Sequence, residues 1–150
     1  MYSIDFDNSL VKGVELLDIN MLNPHEKIIE KKKTLLAKFI KSYENYYIIS
    51  SIVCCDQTLL IIDGHHRYFA MKELGFKKVP VTLIDYQSDS IRTGKKNALS
   101  KEYIINFGKS SDLLEPKSTE HAIYCNRSKN WEPIILLSSM FKIETTEIKN

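Results

Sequence analysis

Two hydrophobic periods alternate along this chain. Residues 14–19 (VELLDI) form an apolar run of strand length. Asn23-Pro24-His25-Glu26 follows with the marks of a helix start: Asn caps well, Pro suits the first helical position, and an acid favours the first turn. Ile28, Ile29, Leu35, Leu36, Phe39 and Ile40 then recur at helical spacing with lysines opposite, which predicts a helix from Asn23 to about Tyr43. Residues 46–55 are β-branched, aromatic or otherwise apolar and read as a strand, which Asp56-Gln57 turns into a partner at 58–62 (TLLII).

Asp63-Gly64 breaks that strand, and a second helix opens at His65 and ends at Gly75 as its C-cap. Residues 79–85 (VPVTLID) are a further buried strand, which Pro80 places at a sheet edge or at its first residue. Residues 86–100 are polar and loop-like. Ser100 caps a helix from Lys101 to about Gly108 with Tyr103, Ile104 and Phe107 inward. A polar loop at 115–121 leads into 122–125, and 134–141 is apolar without deciding between strand and helix. No repeat or domain boundary is visible. The predicted fold class is α+β: a single compact domain over residues 1–150, with a small mixed sheet flanked by helices.

Composition narrows the partners. With 150 residues, 43% hydrophobic and 27% charged, the chain fits one soluble globular domain. A domain of this size buries roughly 70% of the surface its unfolded chain exposes. No apolar run approaches the ~20 residues that span a bilayer, so no membrane partner is expected. The N-terminal residues lack the basic start and apolar middle of a secretory signal, so a cytoplasmic location is expected. A net charge of +2 is too small to imply nucleic acid, and Lys31-Lys32-Lys33 reads as a solvated helix face. Cys54 and Cys55 are adjacent and Cys125 stands apart, so there is no CxxC metal pair; the adjacent two should pack on opposite faces of a strand. Oligomeric state is not legible.

The strongest chemical signal is LLIIDGHHRYFAMKELG, a strand running through a tight turn straight into a helix. The first turn of a helix leaves N–H groups unpaired at the positive end of the macrodipole, and a glycine there lets a phosphate approach the backbone. His65, His66 and Arg67 fan out by about 100° per residue, so all three cannot converge on one phosphate; Arg67 and one histidine are expected to touch it. Asp63 either serves a cation or a proton at this turn, or simply caps the helix. Glu26 stands three residues after Asn23, where a capping-box carboxylate would also stand.

The stretch IIDGHHRYFAMKELGFKKVPVTLIDY resembles the signature of the ParB/sulfiredoxin superfamily, in the branch that contains free serine kinases. The upstream Pro24-His25-Glu26 element and the downstream EPKSTEHAI loop are similar to that branch in the same order, so the resemblance covers a core of about 14–123. It implies a ParB/sulfiredoxin-like kinase domain that makes O-phospho-L-serine from free L-serine with ATP or ADP and Mg2+. It further implies Glu26 as the base, Asp63 beside the metal and the transferring phosphoryl group, and Gly64, His65, His66 and Arg67 at the nucleotide phosphates. His25, Ser118, Thr119 and His121 would hold the substrate. Glu120 departs from the family pattern, which has Arg there; a glutamate favours an ammonium over a carboxylate, and Lys117 or Arg127 could compensate. The alternatives are a kinase for another small hydroxylated substrate, or an inactive nucleotide-binding ParB-like regulator. A sulfiredoxin would need a cysteine where His65 stands, and a DNA clamp would need a helix-turn-helix domain and a basic face.

Overall fold

Both faces of the segment Ile52–Cys55 are buried, and that fixes the layout around it. Ile52 and Cys54 enter one apolar cluster with Ile61, Tyr68, Met71 and Val81, whereas Val53 and Cys55 enter another with Leu60, Ile84, Tyr86, Ile104 and Ile123. The adjacent cysteines therefore do pack on opposite faces. A computed structural model describes residues 4–40, 45–95, 98–110 and 112–144. Its strands are β1 (Val11–Asp18), β2 (Tyr46–Ser50), β3 (Ile52–Cys55), β4 (Ile61–Asp63), β5 (Lys78–Ile84), β6 (Ile91–Arg92), β7 (Ala122–Cys125), β8 (Asn130–Pro133) and β9 (Met140–Glu144). Its helices are α1 (Glu30–Ile40), α2 (His65–Glu73) and α3 (Lys101–Gly108), which makes the fold α+β.

The central sheet has the order β1-β5-β3-β4 and is mixed, because β3 runs parallel to β5 and the other pairs are antiparallel. Two antiparallel sheets, β2-β9 and β6-β7-β8, add to the one sheet expected. Burying a side chain such as Ile52 or Ile61 contributes roughly 1.5–3 kcal/mol, and both are fully buried.

Several elements differ from the periodicity, each for a tertiary reason. The run 46–55 is two strands in two sheets, broken at Ser51, whose hydroxyl meets Thr82 at 2.6 Å and accepts from the Ser139 N–H at 2.9 Å. Helix α1 starts at Glu30 rather than Asn23; its predicted end near Tyr43 and the inward side chain of Phe39 lie outside the described residues. Pro80 sits in a central strand, not at an edge, but parallel pairing with β3 begins only at Val81. Ser100 caps α3 by accepting from the Tyr103 N–H at 3.1 Å, and Ile104 is buried, yet Tyr103 is exposed and Phe107 half-buried. The ambiguous 134–141 run is a 3-10 turn, Ile134–Leu137, followed by β9. No helix among the described residues is long and apolar enough to cross a membrane.

Candidate active site

Strand β4 ends at Asp63, and Gly64 turns the chain with φ +106° and ψ 25° into α2. That left-handed conformation favours glycine. A Cβ at this position would also meet Arg67 Nη2 at 2.9 Å. No side chain caps α2, so Asp63 is not its N-cap, and the N–H groups of the first turn are left without a helical partner. Gly64, His65, His66 and Arg67 line a cleft of about 750 Å³ that also holds Asp63, Glu26, Thr119 and His121.

The side chains of this turn are engaged by the chain itself. His65 Nε2 accepts from the backbone N–H of His25 at 3.1 Å, and His66 Nε2 accepts from that of Ile29 at 3.0 Å. Arg67 is buried. Its Nη1 donates to Ser50 Oγ, to the Ser51 carbonyl at 3.0 Å and to Ser138 Oγ at 3.2 Å, and its Nη2 donates to Asp63 Oδ2 at 3.0 Å.

Residues 23–29 run extended instead of helical because their polar groups find distant partners. Asn23 donates from its backbone to the Leu59 carbonyl at 2.9 Å and from Nδ2 to the Thr58 carbonyl at 2.7 Å. Lys27 N–H bonds the Leu114 carbonyl at 2.6 Å, and Leu114 N–H bonds the His25 carbonyl at 2.8 Å. Glu26 does not reach back to a capping box. Its Oε1 accepts from the Lys117 N–H at 2.7 Å, and its Oε2 accepts from the Thr119 N–H at 3.3 Å and the Thr119 hydroxyl at 3.0 Å. Lys117 holds φ 61° to present that N–H. A non-glycine residue in this region is uncommon and marks a constrained loop.

Burial raises the pKa of Glu26, with the Asp63 charge adding to it and the loop N–H groups opposing. Burial likewise raises Asp63, against the neighbouring Arg67 guanidinium. His25 is fully buried and absent from the cleft wall; its Nε2 lies 3.3 Å from Thr119 Oγ1. Ser118 is also absent from the wall, its hydroxyl donating to the Glu115 carbonyl. Thr119 and His121 do line the cleft, as do Glu120 and Lys117, whereas Arg127 does not. Lys32, which the sequence places on a solvated helix face, lines the cleft. It stands on the α1 face with Leu35 and Leu36, all three on the cleft wall, and the i, i+3, i+4 spacing was the available signal. Burial holds His66 below the usual histidine range, and the Lys32 and Lys117 charges add to this.

Among the described residues no cluster of three or more His, Cys, Asp or Glu is arranged to hold a metal. A magnesium ion held by one carboxylate plus ligand phosphates needs no such cluster. Asp63 fits that mode, since Oδ2 is taken by Arg67 while Oδ1 has no partner among the described residues.

No family model matches the chain. An ATP-dependent L-serine kinase of Staphylothermus marinus is 40% identical over 110 residues, covering 70% of this chain and 41% of that protein. An ADP-dependent L-serine kinase of Thermococcus kodakarensis is 31% identical over 81 residues, covering 51% of this chain and 32% of that protein. The chain thus spans well under half the length of these two relatives. A solved free serine kinase in complex with AMP superposes at TM-score 0.70 over 98% of this chain and 97% of that one, with 14% identity. The fold is that of the free serine kinase structures.

Gly64→Ala should cost about 1–3 kcal/mol, because the alanine must hold a left-handed φ and displace a pinned Arg67. A urea titration checks this, and an unchanged midpoint would remove the claim of strain. Stability should also fall with acid. Burial, the main cause, holds His25 at about 4, His121 at about 3 and His65 well below 6.5. Below the unfolded value of 6.5 only the unfolded chain takes up these protons, so stability present above 6.5 is lost as pH falls towards 4. Each histidine costs about 1.4 kcal/mol per pH unit in that window, while the raised Glu26 and Asp63 oppose part of the loss. The melting temperature at pH 5 should lie below that at pH 7.5; equal or higher values would refute the buried-neutral assignment.

Proposed function

We propose that this chain, which carries the fold of the free serine kinases, transfers a phosphoryl group from ATP or ADP to the hydroxyl of free L-serine. The observation that carries this reading is that Glu26 and Asp63 face one cleft with the open N-terminus of α2. Residues 1–150 are taken as one unit, acting in the cytoplasm on a small-molecule substrate.

The roles follow from what each group has free. The first-turn N–H groups of α2 receive the nucleotide phosphates. Lys32 and Lys117 face the same cleft and supply the mobile positive charge that the occupied Arg67 does not. Asp63 would hold a magnesium ion through its open oxygen, and such an ion, when bound, neutralises charge on the phosphates. Glu26 accepts three hydrogen bonds. A carboxylate offers about four lone-pair sites, so one remains for the substrate hydroxyl. Its raised pKa makes it a better proton acceptor than an exposed glutamate. Thr119 and His121 sit beside it to hold the amino acid. Glu120 on the same wall motivates the second reading, a hydroxylated substrate other than serine.

The test is to incubate the purified chain with magnesium, ATP or ADP, and a panel of hydroxylated amino acids that includes L-serine. O-phosphoserine should form, and Glu26→Gln and Asp63→Asn should each reduce its rate at least ~100-fold while circular dichroism stays unchanged. Full turnover in both variants would overturn the assigned roles, and nucleotide binding without turnover of any acceptor would leave the inactive-regulator alternative. Lys32→Met should raise the nucleotide KM by roughly tenfold, while Lys31→Met leaves it unchanged. Equal effects of the two substitutions would return Lys32 to the solvated face.

A further inference from the structure

The hydroxyl of Tyr86 lies 2.7 Å from Nε2 of His121, and it has no other hydrogen bond among the described residues. Tyr86 is fully buried. It follows β5 by two residues, and its ring centroid lies 5.4 Å from that of His121, which in turn lies 6.0 Å from that of His25. Burial, with His25 and Lys101 adding to it, keeps His121 neutral at physiological pH, and burial keeps the phenol protonated. A neutral imidazole has one N–H and one lone pair. The imidazole lone pair is a better acceptor than a phenol oxygen. If Nε2 instead donated, the buried phenol hydrogen would have no partner, at a cost of about 1–3 kcal/mol. Tyr86 therefore donates to Nε2, and the proton of His121 sits on Nδ1, the one polar ring atom left for the cleft that His121 lines.

We infer that Tyr86 is a positioning residue that locks His121 as the Nδ1–H tautomer, so that the cleft presents a donor there and selects an anionic oxygen, such as the carboxylate of an amino acid. This rests on the kinase reading for the identity of the ligand but not for the tautomer. It also answers the charge problem of Glu120. A glutamate on the wall disfavours a carboxylate, and a fixed N–H donor on the adjacent residue restores the preference without adding a formal charge.

The other imidazoles supply an internal contrast. His65 and His66 accept backbone N–H groups through Nε2 and must also carry hydrogen on Nδ1. Nitrogen-15 NMR of the full chain at neutral pH should thus show His121, His65 and His66 as Nδ1–H tautomers. In Tyr86→Phe only the His121 pattern should change. The same variant should raise the KM for L-serine about tenfold while kcat and the nucleotide KM stay within about twofold, the loss of one hydrogen bond to a charged group. Finding His121 as Nε2–H in the unmodified chain would overturn the inference even if the variant fails to fold. So would an altered tautomer in Tyr86→Phe with an unchanged serine KM. A chain that phosphorylates no serine would defeat the kinase reading alone, and the NMR pattern would still decide the tautomer.

Discussion

Two imidazole lone pairs hold this site together. Nε2 of His65 and Nε2 of His66, adjacent at the start of one helix, take the backbone N–H groups of His25 and Ile29. That pair of bonds fastens an extended segment against the turn after β4 and aims Glu26 into the cleft that Asp63 lines. Both acceptors exist only while the rings are neutral, and burial keeps them so. The histidines of the Gly-His-His-Arg turn thus work as rivets between two acids.

The charges in the cleft are arranged to be completed by a ligand. Glu26, Asp63 and Glu120 line it, against Lys32, Lys117 and an Arg67 whose donors already serve Asp63, Ser50, Ser51 and Ser138. Burial raises both Glu26 and Asp63, and the Asp63 charge raises Glu26 further. Such like-charge crowding is costly in the empty protein and is relieved when a cation or a proton arrives.

What the chain reveals by inspection is what its local chemistry decides. The glycine-led turn, α2 and the Ser100 cap follow from neighbours in sequence, and the structure keeps them. The misread places are those where a distant partner outbids a local one. Asn23 and Glu26 have the right types for a helix start, but Leu59, Thr58, Lys117 and Thr119 satisfy them across the fold. The apolar run 46–55 gives no sign that Ser51 will hand the chain from one sheet to another. That Glu26, Asp63, Thr119 and His121 share one cleft was expected because three motifs stand in order; the contact of Tyr86 with His121 was not, since a tyrosine after a strand looks like any core residue.

The pairing of β2 with β9 carries a consequence for biosynthesis. Arg67 orients Asp63 while also grasping Ser138, and the segment containing Ser138 is anchored where Met140–Glu144 pairs with Tyr46–Ser50. On a ribosome the N-terminal partner of that pair emerges long before the other, and so distant a closure is a slow, late event. Nascent chains therefore lack a fully braced Asp63 until nearly the whole described length has been translated.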